Sequence, residues 1–208
     1  AQYAVEDLAQ VPVRVELASE FRYRRLLVGE KTLVVIISQS GETADSLAAL
    51  RAAKEHGAKT LAIVNVVGSS IAREADHVLY TLAGPEIAVA TTKAYSTQLA
   101  ATYVLALAFA QARGTVTAEE FRKLTAELAA IPEKIEKLLE HKERIQWFAS
   151  KRANMEHAFF IGRGLDYAAG LEGSLKMKEI SYIHSEAYPA GELKHGTISL
   201  IEEDTLVI

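Results

Sequence analysis

Three hydroxyl side chains, Ser38, Ser40 and Thr43, fall with Gln39 and Gly41 inside the six residues SQSGET at 38–43. An apolar run rich in β-branched residues leads into them at 32–39, and a helical pattern follows. The end of a strand ahead of a helix is where open α/β sheets place their ligands. Helix amides point outward there with partial positive charge, hydroxyls add donors, and a glycine lets the backbone approach an oxyanion. The segment therefore suits a phosphate, with no basic residue required. Capping the helix would need only one such hydroxyl, and a tight turn is the other reading these residues leave open.

A second constellation, LEGSLKMKEISYIHSEAYPAGELKHG at 171–196, begins with a helical pattern and is expected to end in a Pro/Gly-broken loop. On a helix Glu172, Lys176 and Glu179 occupy neighbouring turns, so an ammonium and two carboxylates line one stripe; a surface salt-bridge ladder has the same spacing. His184, Glu186, Glu192, Lys194 and His195 follow on the expected loop, and loops at sheet ends gather catalytic groups. A carboxylate can move a proton between adjacent carbons, a histidine can open a sugar ring and a lysine can steady an enolate-like oxygen. Aldose-ketose isomerisation needs such a set. A metal site built from His184, Glu186, Glu192 and His195 is the lesser reading, because no tight ligand spacing supports it. His56, His77, His141 and His157 stand alone at element ends and receive no role. The glycines of GRG at 162–164 invite a dinucleotide, but Tyr167 stands where a third glycine belongs and no GKS or GKT occurs, so they read as a strand-to-helix turn.

Alternating apolar runs and helical patterns position these groups and define an α/β class with parallel strands. The run at 32–39 reads as a buried central strand. A helix over 43–56 places Leu47, Leu50 and Ala53 on one face, with Gly57 ending it. Strands are expected at 59–65 and 77–82, and a long helix from about 91 to 112 ends at Gly114. Residues 117–153 read as helix broken at Pro132, after which a strand at 157–164, a helix from 166 and a strand at 204–208 repeat the motif order. The expected organisation is a first domain over 1–115, a helical connector over 116–153 and the start of a second, truncated domain over 154–208.

Composition limits the functional classes. The 208 residues, 50% hydrophobic, can bury one or two ordinary cores. A net charge of -4 without a basic block argues against nucleic acid as a main partner. The longest apolar run, 99–110, is too short for a membrane span and suits a buried helix. With no cysteine there is no disulfide, thiolate metal site or thiol nucleophile. Residues 1–10 show neither a basic leader nor a hydrophobic signal core, so a cytoplasmic location is expected.

Together SQSGETADSLAALR, GPEIAVATTKAYSTQ, LEGSLKMKEISYIH and GELKHG resemble the sugar-isomerase (SIS) family, and within it the isomerase domains of the glucosamine-6-phosphate synthases. The resemblance runs along nearly the whole chain. Many SIS proteins share the loop; its combination with KMKEISYIHSEAY and GELKHG is far more specific. The resemblance implies tandem flavodoxin-like, three-layer domains with parallel sheets. It assigns the sugar phosphate to Ser38, Gln39, Ser40 and Thr43 and the sugar to Val89 and Thr91, where the family often has serine at the second position and threonine keeps the hydroxyl. Glu179 matches the proton-shuttling base, Lys176 the lysine that steadies the intermediate, and His195 the ring-opening histidine supplied across a homodimer interface. The implied reaction condenses ammonia with the C2 ketone of fructose 6-phosphate and moves a proton from C1 to C2, giving glucosamine 6-phosphate without a cofactor. A glutaminase domain, a C-terminal tail with a further lysine and the first loop of the phosphate pocket would lie outside these residues, so the chain by itself is expected to be inactive with glutamine. A related phosphosugar isomerase or deglycase, or a non-catalytic sugar-phosphate sensor, are the alternatives within the family.

Overall fold

Residues 33–38, 59–64 and 77–80 supply enough apolar and β-branched side chains to form strands, and they pair as a parallel sheet in the order β1-β2-β3. These are β1 (Leu33–Ser38), β2 (Lys59–Val64) and β3 (His77–Tyr80), with Leu33 opposite Lys59 and Leu61 opposite His77. A computed structural model describes residues 1–203 and 205–208 and divides the chain into two compact units, Ala1–Thr125 and Ala126–Ile208. The middle strand of the first sheet is β2, not β1. β1 has a described partner on one side only, and Leu33 and Ile37 are each 41% exposed, so the expectation of a buried central strand at 32–39 is corrected.

The helices of the first unit are α1 (Gln2–Ala9), α2 (Ala18–Phe21), α3 (Ala44–Glu55), α4 (Ser70–Glu74), α5 (Lys93–Arg113) and most of α6 (Ala118–Ala129). α3 forms where the 43–56 pattern requires it, with Thr43 at the N-cap, Asp45 in the first turn and Lys54 in the last, both favourable to the helix dipole. Ala49, Leu50 and Ala53 are buried, and Ala49 and Leu50 pack with Ile36, Ala62, Val64 and Ile71. Complete burial of Leu50 alone stabilises by about 2 kcal/mol. α1 lies on α5 through Ala4, Val5 and Ala9 against Ala106 and Ala110. Arg113 Nε donates to Ala9 O at 2.8 Å and Thr115 Oγ1 to Leu8 O at 2.6 Å, closing the end of that contact. Thr117 and Glu120 cap α6 reciprocally, each side chain accepting the other's backbone N–H.

In the second unit α7 (Ile131–Leu139) and α8 (Lys142–Ser150) precede β4 (His157–Gly162), α9 (Leu165–Ser181) and β5 (His184–Pro189). A short 3-10 turn, Thr197–Leu200, and β6 (Leu206–Val207) follow. Pro132 sits in the first turn of α7, as the break at that residue requires, but a second break at 140–141 divides the expected continuous helix again. The sheet is parallel in the order β5-β4-β6. The strand expected at 204–208 is realised as Leu206–Val207, and Asp204 lies outside the described residues. Among the described residues no helix is long and apolar enough to cross a membrane.

α9 is fixed to its sheet by two devices. Ser174 Oγ donates to Ser185 O at 2.9 Å and Ser185 Oγ to Ser174 O at 2.8 Å, both buried. Gly173 lies against the Phe160 ring, where an added Cβ would come within 2.8 Å of a ring carbon. A glycine inside a helix costs about 1 kcal/mol relative to alanine, and here it permits the close approach of helix to strand. Register is thereby set for the residues on either side of Ser174 in α9, Glu172, Lys176 and Glu179 among them.

Candidate active site

The 38–43 loop leaves β1 and enters α3 in the first unit. Ser38 is 6% exposed; its Oγ accepts the Gly41 N–H at 3.1 Å and lies 3.4 Å from Thr43 Oγ1. Ser40 Oγ accepts the Glu42 N–H at 3.2 Å, and the Gln39 carbonyl accepts the Asn65 N–H at 3.1 Å. Ser38 thus braces the turn from inside, while Ser40 and Gln39 are half-buried and Thr43 exposed. Among the described residues no side-chain hydrogen bond caps α3. The capping explanation for three hydroxyls therefore fails, and the amides at the start of α3 have the donors and partial positive charge that could receive an anion.

Gly41 shapes the loop. Its φ is +67°, and an added Cβ would lie 2.1 Å from Ser69 Oγ. Ser69 is 2% exposed, and its Oγ has no hydrogen-bond partner among the described residues. The segment 69–71 grips the loop further: Ile71 N donates to Gly41 O at 3.0 Å and Ser70 N to the Glu42 carboxylate at 2.8 Å. Glu42 would oppose an anion if its charge were free. Its hydrogen bonds to Ser70, reinforced by Arg73, hold that carboxyl below the usual range and direct it to the start of α4.

Val89 is 97% exposed on the 81–92 connection between β3 and α5, and Thr91 is half-buried on the same segment. Asn65 links this segment to the loop. Its backbone bonds Gln39 O, and its side chain bonds Thr81, Ala83 and Gly84. The sequence reading missed Asn65, Ser69 and Glu42. A polar residue ending the apolar run 59–65 was the one local signal for Asn65.

The charged stripe lies in the second unit, on α9. Lys176 Nζ stands 3.5 Å from Glu172 Oε1 and hydrogen-bonds Glu179. That bond to the Glu179 carboxylate, with Glu172 adding to it, raises Lys176 above ordinary lysine and keeps it an ammonium. The arrangement can present a carboxylate base and a fixed cation side by side.

The expected loop after α9 is corrected in its first half, because His184 and Glu186 stand on β5. Parallel pairing with β4 places His184 opposite His157 and Glu186 opposite Phe159. Glu186 there accepts the Tyr188 hydroxyl, two residues on along one face of the strand, and this raises Tyr188 above an ordinary tyrosine. Glu192, Lys194 and His195 do follow in the turn after β5, where the His195 N–H donates to Glu192 O at 3.0 Å. His195 is exposed, and among the described residues no hydrogen bond or ion pair joins it to Lys176 or Glu179. No group of His, Asp and Glu among the described residues is placed to hold a metal ion. GRG forms the turn between β4 and α9, as the glycine pattern without a third glycine suggested.

The chain is 60% identical over 207 residues to a glutamine–fructose-6-phosphate aminotransferase (isomerizing) of Caldanaerobacter subterraneus, covering 100% of this chain and 34% of that protein. Against the enzyme of the same name from Clostridium tetani the identity is 62%, with the same coverage. The chain thus spans about a third of the length of these relatives. The C-terminal domain of glucosamine-fructose-6-phosphate aminotransferase from Francisella tularensis superposes with a TM-score of 0.96 at 44% identity, over 99% of this chain and 58% of that one. The SIS domain family matches residues 1–108 and 153–208, covering both parallel sheets, the 38–43 loop and the stripe on α9. With most of its length inside that match, the chain belongs to the SIS domain family.

Proposed function

We propose that the chain is the sugar-isomerising part of a glutamine–fructose-6-phosphate aminotransferase. In the reaction ammonia adds to the C2 ketone of fructose 6-phosphate, water leaves, and a proton moves from C1 to C2 to give glucosamine 6-phosphate. The observation that carries the proposal is the Lys176 ammonium held against Glu179 on α9. A binding module would need no such pair, whereas proton transfer between adjacent carbons needs an ionised carboxylate beside a cation that steadies the developing negative oxygen.

In this reading Ser38, Gln39, Ser40 and Thr43, with the start of α3, hold the phosphate, and Val89 and Thr91 contact the sugar. Glu179 carries the proton, Lys176 stabilises the intermediate and His195 opens the ring, reaching the site of a neighbouring copy in a homodimer. Ammonia comes from glutamine through a glutaminase domain of the same enzyme. The names of the relatives and the family match in both halves of the chain support this reading and a tandem arrangement of SIS domains, over 1–115 and from 154 onward, joined by the helices of 116–153. A cytoplasmic location suits a biosynthetic enzyme of this kind.

The test is E179Q in the full polypeptide that carries these residues. Fructose 6-phosphate binding should persist, while ammonia-dependent formation of glucosamine 6-phosphate should fall by about 10²–10⁴-fold, the usual share of acid–base catalysis. Unchanged turnover would sink the assignment of Glu179, and binding without turnover in the parent protein would select a sensor.

A further inference from the structure

We propose that Asn65 is a positioning residue of the sugar-phosphate site, the joint that holds the phosphate loop and the segment bearing Val89 and Thr91 in fixed register. The proposal rests on the sugar-phosphate reading above. Asn65 follows Val64, the last residue of β2, and its backbone N–H donates to Gln39 O at 3.1 Å, inside the 38–43 loop. Its side chain faces the other segment. Oδ1 accepts from Ala83 N at 2.8 Å and from Thr81 Oγ1 at 3.2 Å, and Nδ2 donates to Gly84 O at 2.8 Å.

These three bonds bracket Leu82, which has a φ of +53° and is 77% exposed. A leucine in the left-handed region is strained, and its exposed side chain gains little from packing that would offset the strain. The Asn65 carboxamide holds the backbone after Leu82 and the Thr81 side chain before it, while Thr81 N donates to Val64 O at 3.0 Å. The effect is to turn the chain out of β3 and into the exposed stretch leading to Val89 and Thr91. The far end of that stretch is tied separately, by the Glu86 carboxylate accepting Ala94 N at 3.2 Å near the start of α5. Only a carboxamide serves at position 65: aspartate has no donor for Gly84 O and would add a negative charge beside a loop suited to phosphate.

A residue that merely ended β2 would, when removed, weaken every ligand of the unit alike or none. The joint predicts a contrast between ligands. In the full polypeptide, calorimetric titration with fructose 6-phosphate and with inorganic phosphate should show N65A losing affinity for the sugar phosphate by roughly tenfold or more, the scale of about one lost net hydrogen bond or more. Affinity for inorganic phosphate, which needs the 38–43 loop alone, should change less than about threefold on the same scale. Amide hydrogen exchange at 81–84 should accelerate. Should N65A fail to fold, the neutral N65S, too short to reach Gly84 O, should show the same contrast in the same direction. Equal loss for both ligands, or fructose 6-phosphate affinity within twofold of the parent, overturns the joint while leaving the sugar-phosphate reading standing. A parent protein that binds no fructose 6-phosphate removes that reading, and the joint with it.

Discussion

Alanine at position 41 should distort the 38–43 loop by two separable routes. The added Cβ would meet Ser69 Oγ at 2.1 Å and Ser69 Cβ at 2.6 Å, while the backbone there has a φ of +67°. A non-glycine residue in the left-handed region costs about 1–2 kcal/mol. Displacing the buried Ser69 side chain adds about 1–3 kcal/mol, as overpacking does elsewhere. G41A should therefore lose about 2–5 kcal/mol of stability. S69G removes both obstructing atoms, so adding G41A to S69G should cost only the backbone share, about 1–2 kcal/mol. Urea unfolding followed by far-ultraviolet circular dichroism measures all four members of the cycle, with the midpoints compared at constant slope. If G41A lies within about 0.5 kcal/mol of the parent, the range of an ordinary surface change, or if G41A costs as much with glycine at 69 as with serine, Ser69 does not set the shape of this loop.

Two further outcomes follow from other buried or polar contacts. S174A removes the hydroxyl that donates to the buried Ser185 O, while Ser185 Oγ keeps its own bond to Ser174 O; it should cost about 1–3 kcal/mol, with S174A/S185A losing less than the sum of the single changes because the Oγ–Oγ contact at 3.2 Å is shared, as urea midpoints would show. Asp76 is held at a pKa of about 2 chiefly by the backbone and side-chain bonds from Thr60, with Lys54 assisting. Because its folded value is depressed, its contribution is fully present above the unfolded value of about 4 and is lost as pH falls toward about 2. The acid limb of the stability curve between those limits should flatten in D76N, and an unchanged limb would contradict the assignment.

The parts of the fold legible in the sequence are those set by local pattern. α3 follows from the spacing of Leu47, Leu50 and Ala53 and from Gly57, and the stripe on α9 follows because residues three and four apart on a helix must be neighbours. β5 was not legible. Polar His184 and Glu186 and terminal Pro189 resemble a loop, and only pairing with β4, more than twenty residues earlier, makes them a strand. The same reason hides Asn65, whose partners lie 16, 18 and 19 residues away. The apolar run at 33–38 revealed a strand but not its place in the sheet, because order across a sheet is decided by neighbours and not by the strand's own composition.

The paired hydroxyls of Ser174 and Ser185 have a mechanical consequence. Each donates to the other's carbonyl, so sliding α9 along β5 by a single residue would break both bonds at once. Helix and strand therefore resist shear as one stiff piece. Lys176 and Glu179, within a turn and a half of Ser174 along α9, inherit the stiffness of the sheet, and thermal motion at 176–179 should follow that of β4 and β5 and not that of a free surface helix.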